Sequence, residues 1–137
     1  MNIPSKILLL FSGGIDSATC LAHYRSNGLA VACLFINYGQ SEFSKEYSAA
    51  VKLANYYSTQ LERIDVTGFC WDPGYIPGRN LMLLSLALMK TTKQCRIISI
   101  GIHKNSDYPD CTIFLPIKCL GSTTYMKMAE YLSIYHL

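Results

Sequence analysis

Residues 12–17 read Ser-Gly-Gly-Ile-Asp-Ser and combine the features that a phosphate-binding loop needs. Two adjacent glycines allow a tight turn and bring bare backbone N–H groups close to a bound anion. A helix that begins at this point adds unsatisfied N–H donors and a partial positive charge. Ser12 and Ser17 can donate hydroxyl hydrogen bonds to phosphate oxygens. The segment therefore predicts a site for the phosphates of a nucleotide.

A carboxylate beside a bound phosphate is electrostatically unfavourable, so Asp16 needs an explanation of its own. Either a Mg²⁺ ion bridges Asp16 to the phosphates, or the side chain caps the helix. The lysine of a G-x-x-x-x-G-K-[ST] loop is absent, so backbone and hydroxyl groups would hold the nucleotide. The alternative is a Gly-Gly turn with an Asp helix cap, which many α/β proteins have without binding a ligand.

Three further short motifs contain side chains that are suited to ligand binding. They are Asn37-Tyr38-Gly39-Gln40, Pro77-Gly78-Arg79-Asn80 and Tyr108-Pro109-Asp110-Cys111. Taken alone, each motif is better explained as a turn, or as a turn followed by a helix cap. Arg79 has the most specific chemistry, because a guanidinium at the start of a helix can clamp a phosphate or a carboxylate with its planar fork.

Alternating strands and helices must position these motifs. Continuous apolar runs bounded by turn residues predict buried strands, and apolar residues at three- and four-residue spacing predict helices. The predicted strands are Lys6–Phe11, Leu29–Ile36, Gln60–Val66 and Cys95–Ile100, and the predicted helices are Asp16–Asn27, Ser41–Tyr57 and Arg79–Thr92. The third helix is apolar nearly all round, which predicts that it is buried.

Glycine and proline mark the segments without regular structure. Thr67–Gly78 contains three glycines and two prolines, so we expect an irregular loop there. Gly101–Cys111 is predicted as a polar loop, and Thr124–Tyr135 is a candidate for a final helix. Trp71 and Tyr75 could stack on a base, although aromatic residues in such loops more commonly pin the loop to the core.

The order of the elements predicts an α/β fold, with a parallel sheet and helices on both faces in a Rossmann-like arrangement. The length favours a single domain over residues 1–137. Ligands of such sheets bind beyond the carboxyl ends of the strands, which is where the informative motifs fall.

A Ser-Gly-Gly-x-Asp-Ser segment after an aliphatic strand resembles the signature of the PP-loop ATP pyrophosphatases, which have an adenine nucleotide alpha hydrolase-like fold. With the three further motifs in order, the chain from about Ile7 to Cys111 resembles the 7-cyano-7-deazaguanine synthase family. The resemblance implies that ATP is gripped by Ser12, Gly13, Gly14, Asp16 and Ser17.

The resemblance also implies roles for the three other motifs. It places Tyr38 and Gln40 beside the adenosine, and it matches Arg79 and Asn80 to the family's Gly-Arg-Asn. Asp110 becomes a candidate contact for the purine-like substrate, because a carboxylate accepts hydrogen bonds from the N–H and amino groups of a guanine-type edge.

The chemistry implied by the resemblance is the ATP-dependent conversion of 7-carboxy-7-deazaguanine to 7-cyano-7-deazaguanine in queuosine biosynthesis. The carboxylate attacks the α-phosphate, pyrophosphate leaves, and ammonia displaces AMP to give an amide, which a second activation dehydrates to the nitrile. Positioning and charge stabilisation do most of this work. The implied cofactors are ATP and Mg²⁺, and the implied catalytic residues are Asp16, Arg79 and Asp110.

The chain departs from the family in two respects. The family's C-terminal cysteine cluster, which binds structural zinc, has no counterpart, since Cys111 and Cys119 lack two further ligands; we therefore expect no zinc site. The loop after the fourth strand and Thr67–Gly78 are shorter than in the family, so the substrate contacts should differ. The alternatives are a non-catalytic ATP-binding module, an adenylating enzyme for another carboxylate, or a truncated chain that works as a homodimer or with a second polypeptide.

Composition narrows the partners and the location. The net charge is +3 and the basic residues are scattered, so no nucleic-acid partner is predicted. The apolar runs are too short for a membrane span, and six cysteines without a C-x-x-C pair favour a reducing cytoplasmic environment. Of the histidines that could act as acid–base groups, His23 is expected to have a packed or surface role, while His103 falls in the ligand-side loop.

Overall fold

The computed structural model of the chain describes residues 6–72, 74–91, 95–103 and 125–131. Five strands and three helices alternate along these residues. In chain order they are β1 (Lys6–Leu10), α1 (Ile15–Ser26), β2 (Val31–Asn37), α2 (Phe43–Tyr56), β3 (Gln60–Asp65), α3 (Arg79–Lys90), β4 (Cys95–His103) and β5 (Tyr125–Tyr131).

All neighbouring strands are parallel, and their order across the sheet is β3-β2-β1-β4-β5. The central strand β1 is flanked by β2 and β4; Leu9, for example, is in register with Cys33 on one side and with Ser99 on the other. The chain first builds outward from β1 through β2 to β3, and then returns to β4 on the opposite side. Such a reversal opens a crevice at the carboxyl ends of the two strands beside it, here β1 and β4.

Each face of the sheet is covered by its own helical layer. Alternate residues of β1 point to opposite faces: Leu9 packs with Leu21 of α1 and Ala50 of α2, whereas Leu8 packs with Leu84 of α3. Burial on both faces explains why β1 is a continuous aliphatic run rather than an alternating one. The predicted parallel sheet with helices on both faces is confirmed.

The predicted helix over Thr124–Tyr135 is wrong. Tyr125–Tyr131 forms strand β5, which pairs with β4 in parallel from Ile97 opposite Tyr125 to His103 opposite Tyr131. This pairing also corrects the start of the predicted polar loop, because Gly101 to His103 continue β4. A short segment without a clear apolar periodicity does not distinguish a helix from an edge strand, and backbone partners on a neighbouring strand decide the outcome.

The prediction that α3 is buried is wrong for one side of that helix. Leu84 and Ala87 are buried against the sheet, but 50% of Leu81 and 81% of Met89 are exposed. The helix covers the sheet with a single stripe, although its sequence is apolar nearly all round. Within the described ranges, none of the helices has the length and apolar character that crossing a bilayer requires.

Candidate functional site

The backbone of the loop after β1 depends on Gly13. Its φ is +78°, a left-handed conformation that side chains disfavour. A Cβ at this position would lie 2.6 Å from the backbone nitrogen of Ala50 and 2.7 Å from the backbone oxygen of Glu46. Only glycine therefore allows the loop to lie directly against α2. The next residue, Gly14, is the N-cap of α1.

Two hydroxyl groups lie side by side at the start of α1. Ser17 donates a hydrogen bond to the carbonyl oxygen of Gly14 at 3.1 Å, and the Ser12 hydroxyl accepts one from the Gly14 N–H at 3.3 Å. The two Oγ atoms are 3.4 Å apart. Because the N-cap is a glycine without a capping side chain, this helix end offers backbone N–H donors and two hydroxyls to an anion.

Asp16 belongs to the first turn of α1, and the N-cap is Gly14. A carboxylate in the first turn is stabilised by the helix dipole. Asp16 also lines the cleft described below and is half-buried. It is therefore placed where a cation shared with bound phosphates could reach it.

Contacts with β4 hold α1 in place. The Tyr24 hydroxyl is hydrogen-bonded to the Ser99 hydroxyl at 2.8 Å, and burial of Tyr24 raises the pKa of its phenol. Gly101 allows an even closer approach, because a Cβ there would lie 2.9 Å from the carbonyl carbon and oxygen of Asp16. The loop of residues 12–17 is thus wedged between α2, behind Gly13, and β4, beside Asp16.

The turn after β2 contributes Tyr38 and Gln40 to the same region. The side-chain oxygen of Gln40 accepts a hydrogen bond from the Tyr38 N–H at 2.9 Å. Its amide nitrogen donates to the Ile36 carbonyl oxygen at 3.2 Å and to a Glu46 carboxylate oxygen at 3.1 Å. Both donors of the Gln40 amide are therefore used by the protein, so this side chain shapes the turn, and the Tyr38 side chain is the better placed to contact a ligand.

The start of α3 supplies the positive charge. Its N-cap, Gly78, has a φ of +76°, and Arg79 and Asn80 follow. Arg79 is half-buried, and its guanidinium forms no ion pair within the described part of the chain. Only 4% of Asn80 is exposed. A second helix N-terminus and a cation that has no counter-ion among the described residues therefore face the same space as the start of α1.

These elements enclose a cleft of about 250 Å³ at the carboxyl ends of β1, β2 and β4. Among the predicted site residues, the cleft is lined by Ser12, Gly14, Asp16, Ser17, Tyr38, Gln40, Arg79 and Asn80. Gly13 lies behind it against α2. His23 lines a separate shallow groove with Arg25 and Tyr56, His103 ends β4, and Asp110 lies outside the described residues.

Two residues that line the cleft do not belong to any of the sequence motifs. Glu46 lies in the first turn of α2 and brings a second carboxylate to the cleft. Gly101 lines the cleft from β4, whereas the sequence placed it in a loop. In the sequence, only their positions mark them. Glu46 is an acidic residue in the helix that follows Tyr-Gly-Gln, and Gly101 is a glycine late in an apolar strand.

The cleft combines anion-binding groups with two carboxylates, Asp16 and Glu46. No cluster of three or more metal-binding side chains occurs among the residues that the structure describes. Magnesium does not need such a cluster, because it is usually held by one or two carboxylates together with substrate phosphates and water. This donor set fits a Mg²⁺–nucleotide complex, with Asp16 as the residue that would hold the ion.

A match to a protein family and matches to curated proteins point to the same kind of relative. Residues 6–70 match the profile of the family described as "Queuosine biosynthesis protein QueC". A 7-cyano-7-deazaguanine synthase from Dechloromonas aromatica is 37% identical over 130 residues, covering 77% of this chain and 58% of that protein. The synthases of Alcanivorax borkumensis and Microcystis aeruginosa are 32% and 30% identical, covering 77% and 80% of this chain and 58% of each relative.

The chain thus spans less than two thirds of the length of these curated relatives. Because the 130 aligned positions take up only 77% of this 137-residue chain, the Dechloromonas protein also has additional residues within the matched region. Among solved structures, the predicted subunit of a tRNA methyltransferase from Methanocaldococcus jannaschii is similar, with a TM-score of 0.47 and 18% identity over 77% of this chain and 56% of that one.

Proposed function

This chain belongs to the family of the queuosine biosynthesis protein QueC, and from that premise we propose that it binds ATP in the cleft and adenylates a carboxylate. The observation that carries the proposal is the convergence of two helix N-termini, two serine hydroxyls and Arg79 on one cleft. Each of these groups favours an anion, and together they suit a chain of phosphates rather than one isolated charge.

Each side chain has a definite task in this reaction. The α1 N-terminus, Ser12 and Ser17 hold the phosphates, and Arg79 stabilises the negative charge that develops on them. The Tyr38 side chain borders the adenosine. When bound through Asp16, Mg²⁺ offsets the charge of the phosphates and of the leaving pyrophosphate.

This placement supports the following reaction. A carboxylate oxygen of the substrate attacks the α-phosphorus of ATP, the bond to the bridging oxygen breaks, and pyrophosphate leaves. Ammonia then attacks the carbonyl carbon of the acyl adenylate, AMP leaves, and a proton is released. The relatives are named 7-cyano-7-deazaguanine synthase, so we propose 7-carboxy-7-deazaguanine as the substrate, with the amide dehydrated to the nitrile in a second activation.

A second candidate function is an ATP-binding module that needs a partner polypeptide, or a second copy of the chain, for catalysis. The cleft itself is compatible with both candidates, because it contains the phosphate-binding part of the site.

Mass spectrometry of products after incubation with ATP, Mg²⁺, ammonium and 7-carboxy-7-deazaguanine tests the proposal. We expect AMP and 7-cyano-7-deazaguanine, both lost in Asp16→Ala and retained in Asp72→Ala, since Asp72 is an exposed loop carboxylate outside the cleft. ATP binding without AMP formation would support the module. A folded chain that binds no ATP would refute both candidates.

A further inference from the structure

The chain has a single tryptophan, Trp71, and it lies on the loop between β3 and α3. Its indole Nε1–H donates a hydrogen bond to the carbonyl oxygen of Tyr38. The Tyr38 ring meets the indole edge-to-face, with ring centroids 6.3 Å apart and an angle of 80°. A Cβ on Gly39 would lie 3.8 Å from two indole atoms, so the indole covers this turn at van der Waals distance.

Hydrogen bonds continue from this turn to the phosphate loop. The Tyr38 N–H donates to the Gln40 side chain, whose amide donates in turn to the Glu46 carboxylate. The backbone oxygen of Glu46 lies against Gly13. Tyr38, Gln40 and Glu46 all line the cleft, whereas Trp71 does not.

We propose that Trp71 is a positioning residue for the nucleotide side of the cleft. This inference rests on the proposed function, because it assigns Trp71 a role in ATP binding at that site. The indole fixes the Tyr38 carbonyl, and with it the turn whose Tyr38 and Gln40 side chains form one wall. The hydrogen bond and the ring contact with Tyr38 also tie the loop that leads to Arg79 to this turn.

A second aromatic residue, Phe69, contacts Trp71 and provides a matched control. Phe69 stacks on the indole, with centroids 5.1 Å apart and an angle of 14°, and 58% of Phe69 is exposed. Phe69→Leu removes this stacking and leaves the hydrogen bond to Tyr38. Trp71→Phe keeps an aromatic ring over Gly39 and removes the N–H donor.

Calorimetric titration with Mg²⁺–ATP compares the two variants. We expect Trp71→Phe to bind ATP roughly five- to tenfold more weakly, the effect of one lost hydrogen bond, while Phe69→Leu binds like the wild type. In AMP release the KM for ATP should rise with kcat unchanged, as expected when only binding is weakened. An unaltered dissociation constant in Trp71→Phe, or equal weakening in both variants, would overturn the inference.

A second measurement does not depend on ATP. Because Trp71 is the sole tryptophan, supplying a tryptophan auxotroph with benzothienylalanine replaces this residue alone by an isostere with sulfur in place of N–H. Hydrogen exchange of the nucleotide-free protein should then quicken in residues 38–42 and stay unchanged in 31–36. Unchanged exchange in 38–42 would refute the positioning role, whereas quickened exchange in a chain whose wild type binds no ATP would refute the proposed function instead.

Discussion

Gly13 and Gly28 share a left-handed backbone and differ in what surrounds them. Their φ angles are +78° and +70°. A Cβ on Gly13 would clash with the α2 backbone at 2.6 Å, whereas a Cβ on Gly28 would meet nothing within 4 Å. The pair therefore separates the cost of backbone conformation from the cost of close packing.

Replacing each glycine by alanine tests this difference through urea unfolding. We expect Gly28→Ala to lower the free energy of unfolding by about 1 kcal/mol, from the left-handed backbone alone. Gly13→Ala should lower it by roughly 1–3 kcal/mol more, because the backbone of α2 must move. Gly13→Ala should also weaken ATP binding. Equal losses of stability in the two variants would mean that α2 gives way without cost.

The Cys33 thiol predicts a decline of stability at alkaline pH. Burial in the central sheet raises its pKa to about 12, whereas a thiol in an unfolded chain titrates near about 8.5. Between these values the unfolded chain has lost the proton that the folded chain keeps, so the free energy of unfolding falls as pH rises. The Cys33 thiol makes its full contribution to the free energy of unfolding below about pH 8.5, and this contribution is lost as the pH rises toward 12.

Urea unfolding from pH 7.5 to 10.5 would reveal this dependence in comparison with Cys33→Ala. Above about pH 9, the wild type should lose up to about 1.4 kcal/mol per pH unit more than the variant. Parallel curves over the whole range would show that the thiol keeps its ordinary pKa in the folded protein.

Sequence motifs predicted the residues of the site better than they predicted its shape. Ser12 to Ser17 and Arg79 could be predicted because glycines, hydroxyls and a guanidinium follow one another in order at the ends of predicted strands and the starts of predicted helices. Glu46 and Gly101 could not, because they reach the cleft through the packing of α2 and β4 against the loop of residues 12–17. Such contacts join residues distant in sequence and leave no local pattern.

At the scale of elements, α1 carries two hydroxyls that each donate a hydrogen bond to a backbone carbonyl, and only one of them lies at the cleft. Ser17 donates to the Gly14 carbonyl at 3.1 Å, and Thr19 donates to the Ile15 carbonyl at 2.7 Å. Ser17 lines the cleft and Thr19 does not. Alanine at either position removes a side-chain hydrogen bond to a backbone carbonyl in the first turns of the helix.

The two substitutions should therefore affect ATP differently. We expect Ser17→Ala to weaken ATP binding roughly ten- to hundredfold, the effect of a lost hydrogen bond to a charged group, and Thr19→Ala to leave it unchanged. Equilibrium dialysis with labelled ATP measures both constants. A similar loss in Thr19→Ala would trace the effect to the stability of α1 instead of to phosphate contact.

The strands and helices up to Ile100 were predictable because their hydrophobic patterns agree with the turn residues that bound them. Buried parallel strands leave continuous aliphatic runs such as that of β1, and turn residues mark their ends. The agreement fails at Tyr125–Tyr131, where the sequence allows a helix and pairing with β4 makes a strand. It fails again on α3, since Leu81 and Met89 remain exposed in a helix whose composition predicts burial.

At the scale of the whole molecule, the cleft joins the two helical layers. The start of α1 and Glu46 of α2 approach it from one face of the sheet, and Arg79 of α3 from the other. A nucleotide that contacts both layers binds the folded chain and loses its site when the layers separate. ATP should therefore stabilise the core as a unit rather than the loops that touch it.

Cys33, in the middle of β2 and fully buried, reports the opening of that core. Its alkylation at neutral pH requires unfolding, whereas Cys70 is exposed and should react at once. ATP at a hundred times its dissociation constant should slow alkylation of Cys33 about a hundredfold, because binding lowers the population of the unfolded chain by that factor. Peptide-resolved mass spectrometry after pulses of iodoacetamide measures both rates. Arg79→Gln should remove most of the protection at the same ATP concentration, because the loss of a hydrogen bond between charged groups weakens binding roughly ten- to hundredfold, while Arg63→Gln, outside the cleft, should preserve it. If Cys33 reacts equally fast with and without saturating ATP, the nucleotide does not join the two layers.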